Sequence, residues 1–372
     1  MLIGTATSAH QVEGNNKNSD WWHFEKSGKI PHRSGVGADS YNRYIEDIKI
    51  MKRLKLNAYR FSIEFARVMP SPNKVDLSAI EHYKKVFREL RKNGIEPIPT
   101  LWHYTLPMWF YKRGGFEKRE NFSQFIDYVD ALLKYGVLDA NYVLTINEPV
   151  IYASKAFVSG RYPPFRKSLW AFNHILNNVL ALHNEVYDVL KAYDYSVSFT
   201  NNVFYFKSDA VFYPATSLLD YIFNQKPFYR TRFDFMGINY YKTIDTLKFL
   251  TSRIIPSRKK NWYVSPQNLE RIIEREYRIF KKPIMITENG IDTVDEKFRG
   301  KFIRENFQSV LNARRKKIPV IGYLHWSFID NFEWNFGYER NYGILGFDPK
   351  TGRRIIKDSA FVLKDIAEKY GN

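Results

Sequence analysis

The chain has 372 residues, of which 44% are hydrophobic and 26% are charged. This composition is typical of a globular protein, and the length is sufficient for one large α/β domain. The formal charge is +18, because 57 basic residues stand against 39 acidic ones. Such a charge could indicate an anionic partner, but the basic residues are spread over helical segments and no nucleic-acid-binding motif is present. No nucleic-acid partner is therefore expected.

The sequence contains no cysteine, which excludes disulfides and thiolate metal sites. Residues 1–5 have neither the basic region nor the long apolar region of a signal peptide. No uncharged apolar run approaches the roughly 18 residues that a membrane span needs. These features predict a cytoplasmic protein without a membrane span. The lack of cysteine, the few methionines and the many Lys, Arg and Glu residues are also typical of thermophiles.

Strands and helices alternate along the chain. Strands are predicted at residues 2–7, 57–63, 95–101, 142–147, 196–203, 233–241, 284–288 and 319–326, and helices at 44–56, 77–93, 121–135, 168–193, 266–280, 298–316 and 357–370. The unit after residue 203 is the least distinct. This alternation predicts a parallel sheet with crossover helices. Eight units, and no glycine-rich dinucleotide loop after the first strand, favour a single (β/α)8 barrel, a TIM barrel of residues 1–372, over an open sheet.

Polar or charged residues stand at or near the carboxyl ends of six predicted strands, and aromatic and acidic residues follow the last strand. Because the carboxyl ends of barrel strands share one face, these side chains are expected to meet. They are Gln11, Arg60, His103, Asn147 with Glu148, Asn239 with Tyr241, and Glu288, followed by Trp326, Glu333 and Trp334.

Two of these strand ends share one pattern. Residues 142–149 (YVLTINEP) and 284–290 (IMITENG) each place a glutamate after an apolar strand, with a threonine shortly before it and an asparagine beside it. Alone, either Glu148 or Glu288 could be a solvated acid, His103 a core histidine and Arg60 a structural ion-pair partner. A pair of carboxylates at one barrel face indicates glycoside hydrolysis. Motifs for metal or serine hydrolases are absent, so neither a metal nor another cofactor is expected.

With these motifs the chain resembles glycoside hydrolase family 1, the retaining β-glucosidases and β-galactosidases, and its archaeal members in particular. The resemblance extends from residue 3 to about residue 367. It rests on GTAT at 4–7 with Gln11, YRFSI at 59–63, TL at 100–101 with His103, TINEP at 145–149, Gly237 with NYY at 239–241, TENG at 287–290, and WS at 326–327 with DNFEW at 330–334.

The resemblance implies a role for each matched residue and a small β-glycoside or oligosaccharide as the substrate. Glu288 matches the nucleophile and Glu148 the general acid/base. Arg60 and Tyr241 match groups that contact the nucleophile, where they are expected to keep its pKa low, and Asn239 belongs to the same catalytic group. The remaining matches hold the nonreducing-end sugar, with Trp326 as its aromatic floor; they are Gln11, His103, Asn147, Glu333 and Trp334.

Some positions depart from the family pattern. Thr105 stands where many members have an acid, and the chain is short between residues 149 and 235, which leaves the aglycone side open. Glu333 separates the chain from the 6-phospho-glycosidases, although Arg340 and Tyr342 fall where that branch contacts phosphate. Galactosyl and fucosyl substrates, a β-mannosidase and a non-catalytic sugar-binding barrel remain alternatives. The sequence also leaves a homo-oligomer open.

Overall fold

The computed structural model describes residues 1–208, 210–247 and 262–371. Within these ranges, parallel strands close into an eight-stranded barrel in chain order, with β1 paired to both β2 and β8. The strands are β1 (Leu2–Ala6), β2 (Ala58–Ser62), β3 (Glu96–Trp102), β4 (Tyr142–Asn147), β5 (Ser196–Asn202), β6 (Met236–Tyr240), β7 (Ile284–Asn289) and β8 (Val320–Trp326). The predicted (β/α)8 barrel is confirmed.

Seven longer helices surround the barrel, and their positions agree with the predicted ones to within a few residues. They are Ser40–Arg53, Leu77–Lys92, Phe122–Lys134, Leu169–Lys191, Gln267–Phe280, Glu296–Arg315 and Asp358–Tyr370. The first of them begins four residues before its predicted start at residue 44. The prediction started late because the first turn lacks the apolar stripe by which an amphipathic helix is recognised. The two densest groups of basic residues are at 314–317 and 258–260. Residues 314–317 lie exposed at the end of a helix, and residues 258–260 fall outside the described residues.

Shorter elements lie mostly in the loops that follow the strands. The short α-helices are Ala9–Val12, Asp20–Lys26, Phe65–Val68, Met108–Lys112, Pro149–Phe157, Tyr213–Asp220 and Lys226–Tyr229, with a π-helix at Tyr221–Gln225 and 3₁₀ turns at Gly115–Glu117, Arg119–Asn121, Ala210–Phe212 and Trp334–Phe336. One small sheet contains Tyr205–Lys207, Thr243–Asp245 and Trp262–Tyr263, and another contains Leu345–Phe347 and Arg354–Ile356. The indistinct unit after residue 203 therefore consists of one strand of the first small sheet followed by a broken helix, which leads to β6.

The barrel interior is filled with apolar side chains, so the polar residues are left to its carboxyl end. The inner cluster contains Ala6, Ala58, Ile98, Leu144, Phe235, Met285, Leu324 and Trp326. Strand register places the polar ends side by side, since Asn147 pairs with Thr200, Asn202 with Asn239, and Asn239 with Glu288. Within the described ranges, no helix has both the length and the apolar character to span a membrane.

Candidate active site

Glu288 lies near the end of β7, almost fully buried, with one charged and one phenolic donor on its two oxygens. Arg60, which is fully buried in β2, donates a hydrogen bond and forms an ion pair with Oε1 of Glu288. The hydroxyl of Tyr241 donates to Oε2 at 2.5 Å. The guanidinium also donates to Oγ1 of Thr100 at 3.0 Å and to Oδ1 of Asn147 at 2.7 Å. The buried charge of Arg60 is therefore both paired and hydrogen-bonded, as a buried guanidinium requires.

Burial dominates the electrostatics of Glu288. Burial raises its pKa to about 7, Arg60 opposes that rise, the charge of Glu148 adds to it, and the hydrogen bond from Tyr241 lowers it. The contacts predicted for Arg60 and Tyr241 are present, but the expectation of a low pKa is wrong. Removal of a carboxylate from water disfavours its charged form by more than the two donors restore.

The pKa of Glu288 predicts the pH below which catalytic activity is lost. A carboxylate nucleophile works only when ionised, so kcat/KM should fall as the pH drops through about 7. Tyr241→Phe removes a donor that lowers the pKa, and it should move this limb upward by about one pH unit, the size of one hydrogen bond to a charged group. The measurement is kcat/KM from pH 4.5 to 9. Tyr342→Phe is the control, since its hydroxyl makes no hydrogen bond with Glu288 in the described structure and the limb should stay in place. A wild-type limb near pH 5 would contradict the argument.

Glu148 lies directly after β4, where the chain turns into the helix Pro149–Phe157, and its backbone is left-handed with φ of 45°. Its Oε1 accepts hydrogen bonds from Nδ2 of Asn202 at 2.8 Å and from Nδ2 of Asn239 at 2.9 Å. Its Oε2 accepts one from the hydroxyl of Tyr104. All three donors are neutral, so the surroundings of Glu148 differ from those of Glu288, which faces a cation.

Asn147 and Asn239 join the two carboxylates into one network. Oδ1 of Asn147 accepts from Arg60, from Oγ1 of Thr200 at 2.7 Å and from Nδ2 of Asn239 at 3.3 Å. Asn239, which donates to Glu148, lies beside Glu288 in the strand register. The predicted catalytic residues are therefore brought together at one end of the barrel.

The hydrogen bonds around the histidine after β3 define which of its ring nitrogens carries the proton. The Nδ2 group of Asn147 lies 3.2 Å from Nε2 of His103 and must donate to it, because Oδ1 of Asn147 is already an acceptor. Burial and the charge of Arg60 lower the pKa of His103 well below its ordinary value. The neutral ring therefore carries its proton on Nδ1, a buried atom without a hydrogen-bond partner in the described residues.

A second polar group lies beside β8. Nε2 of Gln11 donates to Oδ1 of Asn331 at 2.8 Å and to Oε1 of Glu333 at 3.3 Å, and Nε1 of Trp326 donates to the same Glu333 oxygen at 3.2 Å. Burial raises the pKa of Glu333 to about 8; the hydrogen bond from Trp326 opposes this rise, and the charge of Glu288 adds to it. Below that pH the side chain is largely protonated and offers both a donor and an acceptor.

Flat aromatic rings lie beside the polar residues of the site. His103 is nearly parallel to Trp326, with centroids 5.9 Å apart, and to Trp334, with centroids 6.2 Å apart. Trp334 also packs edge-on against Trp21 at 4.6 Å. Trp326 and Trp334 therefore lie next to His103, and all three residues are predicted to hold the sugar. The ring faces of the two tryptophans suit the C–H surface of a pyranose.

Sequence reasoning missed two residues that contact Glu148. Asn202 is the last residue of β5, a strand whose polar end follows the same pattern as its neighbours, so the signal was present and overlooked. Tyr104 follows His103 and reads as a core aromatic residue. The backbone φ of Tyr104 is 73°, a value that is rare for a tyrosine. The side chain reaches the site only because of this turn after β3.

Thr105, which departs from the family pattern, and Arg340 and Tyr342, which fall where the 6-phospho-glycosidases contact phosphate, all have partners within this protein. The hydroxyl of Thr105 donates to Oε2 of Glu64 at 2.8 Å. Arg340 forms an ion pair with Asp292 at 2.6 Å. Tyr342 packs edge-on against Tyr241, with centroids 6.2 Å apart.

Steric crowding explains why the TENG motif ends in a glycine. A Cβ atom on Gly290 would lie 1.9 Å from the carbonyl oxygen of Trp326, so any side chain would force β7 and β8 apart at the site.

The sequence model of the family described as glycosyl hydrolase family 1 matches residues 1–217 and 238–372. Beta-glucosidase A of Thermotoga maritima is 26% identical over 100% of this chain and 97% of its own length. The 1,4-beta-D-glucan glucohydrolase of Thermotoga neapolitana is also 26% identical, over 100% and 98%.

Solved structures agree with these sequence matches. The beta-glycosidase from Pyrococcus horikoshii superposes with a TM-score of 0.92 at 32% identity, covering 98% of this chain and 93% of that one. The beta-glucosidase from Thermotoga maritima in complex with glucoimidazole superposes with a TM-score of 0.89 at 25% identity, covering 99% and 97%. Most of the unmatched residues, 218–237, lie in the segment predicted to be short, which ends at residue 235. The resemblance and the glycoside hydrolase class are confirmed: the chain belongs to glycosyl hydrolase family 1.

Proposed function

We propose that the protein is a retaining exo-β-glycosidase that removes terminal nonreducing β-D-glucosyl residues, and also galactosyl or fucosyl residues, by double displacement. One observation carries the proposal. Two buried carboxylates, Glu148 and Glu288, reach the same end of the barrel from different strands and share one hydrogen-bond network. A retaining glycosidase needs two such groups about 5–5.5 Å apart, one to attack the sugar and one to transfer protons.

The unequal surroundings of the two acids assign their roles. Glu288 has a cation on one oxygen and a phenol on the other, which favours a carboxylate and suits the nucleophile. Glu148 accepts from neutral amides and a tyrosine, so it can gain and lose a proton without breaking an ion pair. Glu148 is therefore the general acid/base.

The reaction then has two steps. In the first, a carboxylate oxygen of Glu288 bonds to the anomeric carbon while the glycosidic bond breaks, and Glu148 gives its proton to the departing oxygen. In the second, Glu148 takes a proton from water, whose oxygen bonds to the anomeric carbon and releases Glu288. Arg60 compensates the charge of Glu288 before the first step and after the second.

The sugar pocket is suited to free hydroxyl groups. Gln11 and Glu333 offer donors and acceptors beside Trp326 and Trp334, whose rings both lie nearly parallel to that of His103. The pKa of Glu333 supports binding of a hydroxyl pair, because the protonated acid can donate as well as accept.

A panel of p-nitrophenyl glycosides tests the proposed function. We expect the β-glucoside to be hydrolysed fastest, the β-galactoside and β-fucoside to follow, and the α-glucoside control to be inert. Initial rates over a range of temperatures are the measurement. Fastest hydrolysis of the β-mannoside would make the protein a β-mannosidase, and fastest hydrolysis of the 6-phospho-β-glucoside would overturn the role given to Glu333. A folded protein that hydrolyses none of them would be a sugar-binding barrel.

A further inference from the structure

The two carboxyl oxygens of Glu148 have different numbers of hydrogen-bond donors. Oε1 accepts from Nδ2 of Asn202 at 2.8 Å and from Nδ2 of Asn239 at 2.9 Å. Oε2 accepts from the hydroxyl of Tyr104. Each carboxylate oxygen has two lone pairs. Both lone pairs of Oε1 are therefore engaged, whereas Oε2 keeps one lone pair to which no residue in the described part of the chain donates.

This difference determines where the proton of the general acid can sit. Asn202 and Asn239 are both buried, and a proton on Oε1 would take the place of one of their hydrogen bonds. A buried donor that loses its acceptor costs free energy. A proton on the remaining lone pair of Oε2 displaces no donor. Oε2 is therefore the oxygen of Glu148 that can hold a proton and pass it to a leaving group.

Tyr104 can remain a donor in both protonation states of Glu148. Burial raises the pKa of Tyr104 well above its ordinary value, and the charge of Glu148 adds to this rise, so the phenol stays neutral. Among the described residues, the hydroxyl of Tyr104 has no hydrogen-bond partner other than Glu148. If this hydroxyl accepted the proton of Glu148 instead, its own O–H group would lose its acceptor. The phenol therefore occupies one lone pair of Oε2 and leaves the other for the proton.

Packing and a hydrogen bond hold the phenol in this direction. The ring of Tyr104 is 3% exposed; it lies nearly parallel to the ring of Tyr152, with centroids 6.2 Å apart, and edge-on to Trp334 at 5.2 Å. The turn that carries the ring is fixed at its next residue, because the hydroxyl of Thr105 donates to Oε2 of Glu64 at 2.8 Å. The hydroxyl of Tyr104 consequently has little freedom to turn away from the acid.

We propose that Tyr104 is a further catalytic residue, whose hydroxyl directs the proton of Glu148 to the open lone pair of Oε2 and stabilises the carboxylate that forms when this proton leaves. The inference rests on the proposed function and adds a residue to its first step. In that step the glycosidic oxygen gains the proton as its bond to the anomeric carbon breaks, and Glu148 is left as a carboxylate. A hydrogen bond to the charged form favours that form, so the donor assists the proton transfer.

Tyr104→Phe tests the proposal, because it removes the hydroxyl and keeps the ring. We expect kcat/KM for phenyl β-glucoside, whose leaving group needs a proton, to fall by about tenfold, the size of one hydrogen bond to a charged group. For 2,4-dinitrophenyl β-glucoside, whose phenolate leaves without a proton, kcat/KM should stay close to the wild-type value, which also shows that the variant is folded. Tyr152→Phe is the control and should keep both values, since its hydroxyl makes no hydrogen bond with Glu148 in the described structure.

A second background shows whether the hydroxyl acts through Glu148. Glu148→Gly removes the acceptor of the hydroxyl, so adding Tyr104→Phe to that variant should cause no further loss on phenyl β-glucoside. Three results would overturn the inference: a wild-type value for phenyl β-glucoside in Tyr104→Phe, an equal loss for both substrates, or a loss of the same size with and without Glu148. Each of them leaves the glycosidase proposal intact, whereas failure of the wild-type protein to hydrolyse either glucoside would overturn both.

Discussion

Replacement of Glu288 by glycine is expected to lower kcat on p-nitrophenyl β-glucoside by on the order of 10⁵-fold, because loss of a nucleophile that works as part of a unit removes most of the rate enhancement. Added azide or formate should restore turnover. The small anion enters the space that the side chain left, bonds to the anomeric carbon from the same face and expels the aryl group in one displacement. The azide product should therefore be the α-glucosyl azide, identified by NMR.

The variant also leaves Arg60 without its anion, so loss of activity could reflect loss of the fold. Glu288→Gln fills the same space without the charge and serves as a second variant. Thermal unfolding of both variants, with and without azide, separates the two causes. Near-normal activity in a folded Glu288→Gly protein would show that the nucleophile is assigned wrongly, and so would a β-configured azide product.

Replacement of Glu148 by glycine should give an effect that depends on the leaving group. For substrates whose leaving group needs a proton, such as phenyl β-glucoside, kcat/KM should fall by about 10²–10⁴-fold, the usual contribution of general acid catalysis. For 2,4-dinitrophenyl β-glucoside it should change little, because that phenolate leaves unaided. The second step is then slow, and a burst of dinitrophenolate should precede the steady state.

Azide distinguishes this variant from the first one. In Glu148→Gly the glycosyl ester on Glu288 still forms, and azide then attacks it from the opposite face, so the product should be β-glucosyl azide. The two variants thus act as controls for each other, with opposite anomers expected from one reagent. An equal loss of kcat/KM for all leaving groups would contradict the general acid role of Glu148.

The local sequence determined the barrel and most of the site. Alternating apolar strands and amphipathic helices predict the (β/α)8 fold, because each pattern depends only on neighbouring residues. The strands also end where their apolar runs meet polar residues, which places Glu148 and Glu288 at the carboxyl face without knowledge of any contact. The same pattern at the end of β5 could have revealed Asn202.

Only the tertiary structure determined the contacts, the burial and the pKa values of those residues. Arg60 and Glu288 are 228 positions apart in the chain, and the balance between their attraction and the loss of water sets the pKa of Glu288 at about 7. Tyr104 reaches Glu148 through a turn that a sequence pattern does not reveal. Sequence patterns fix which element a residue joins, whereas desolvation and Coulomb energies depend on distances between elements that only the closed barrel sets.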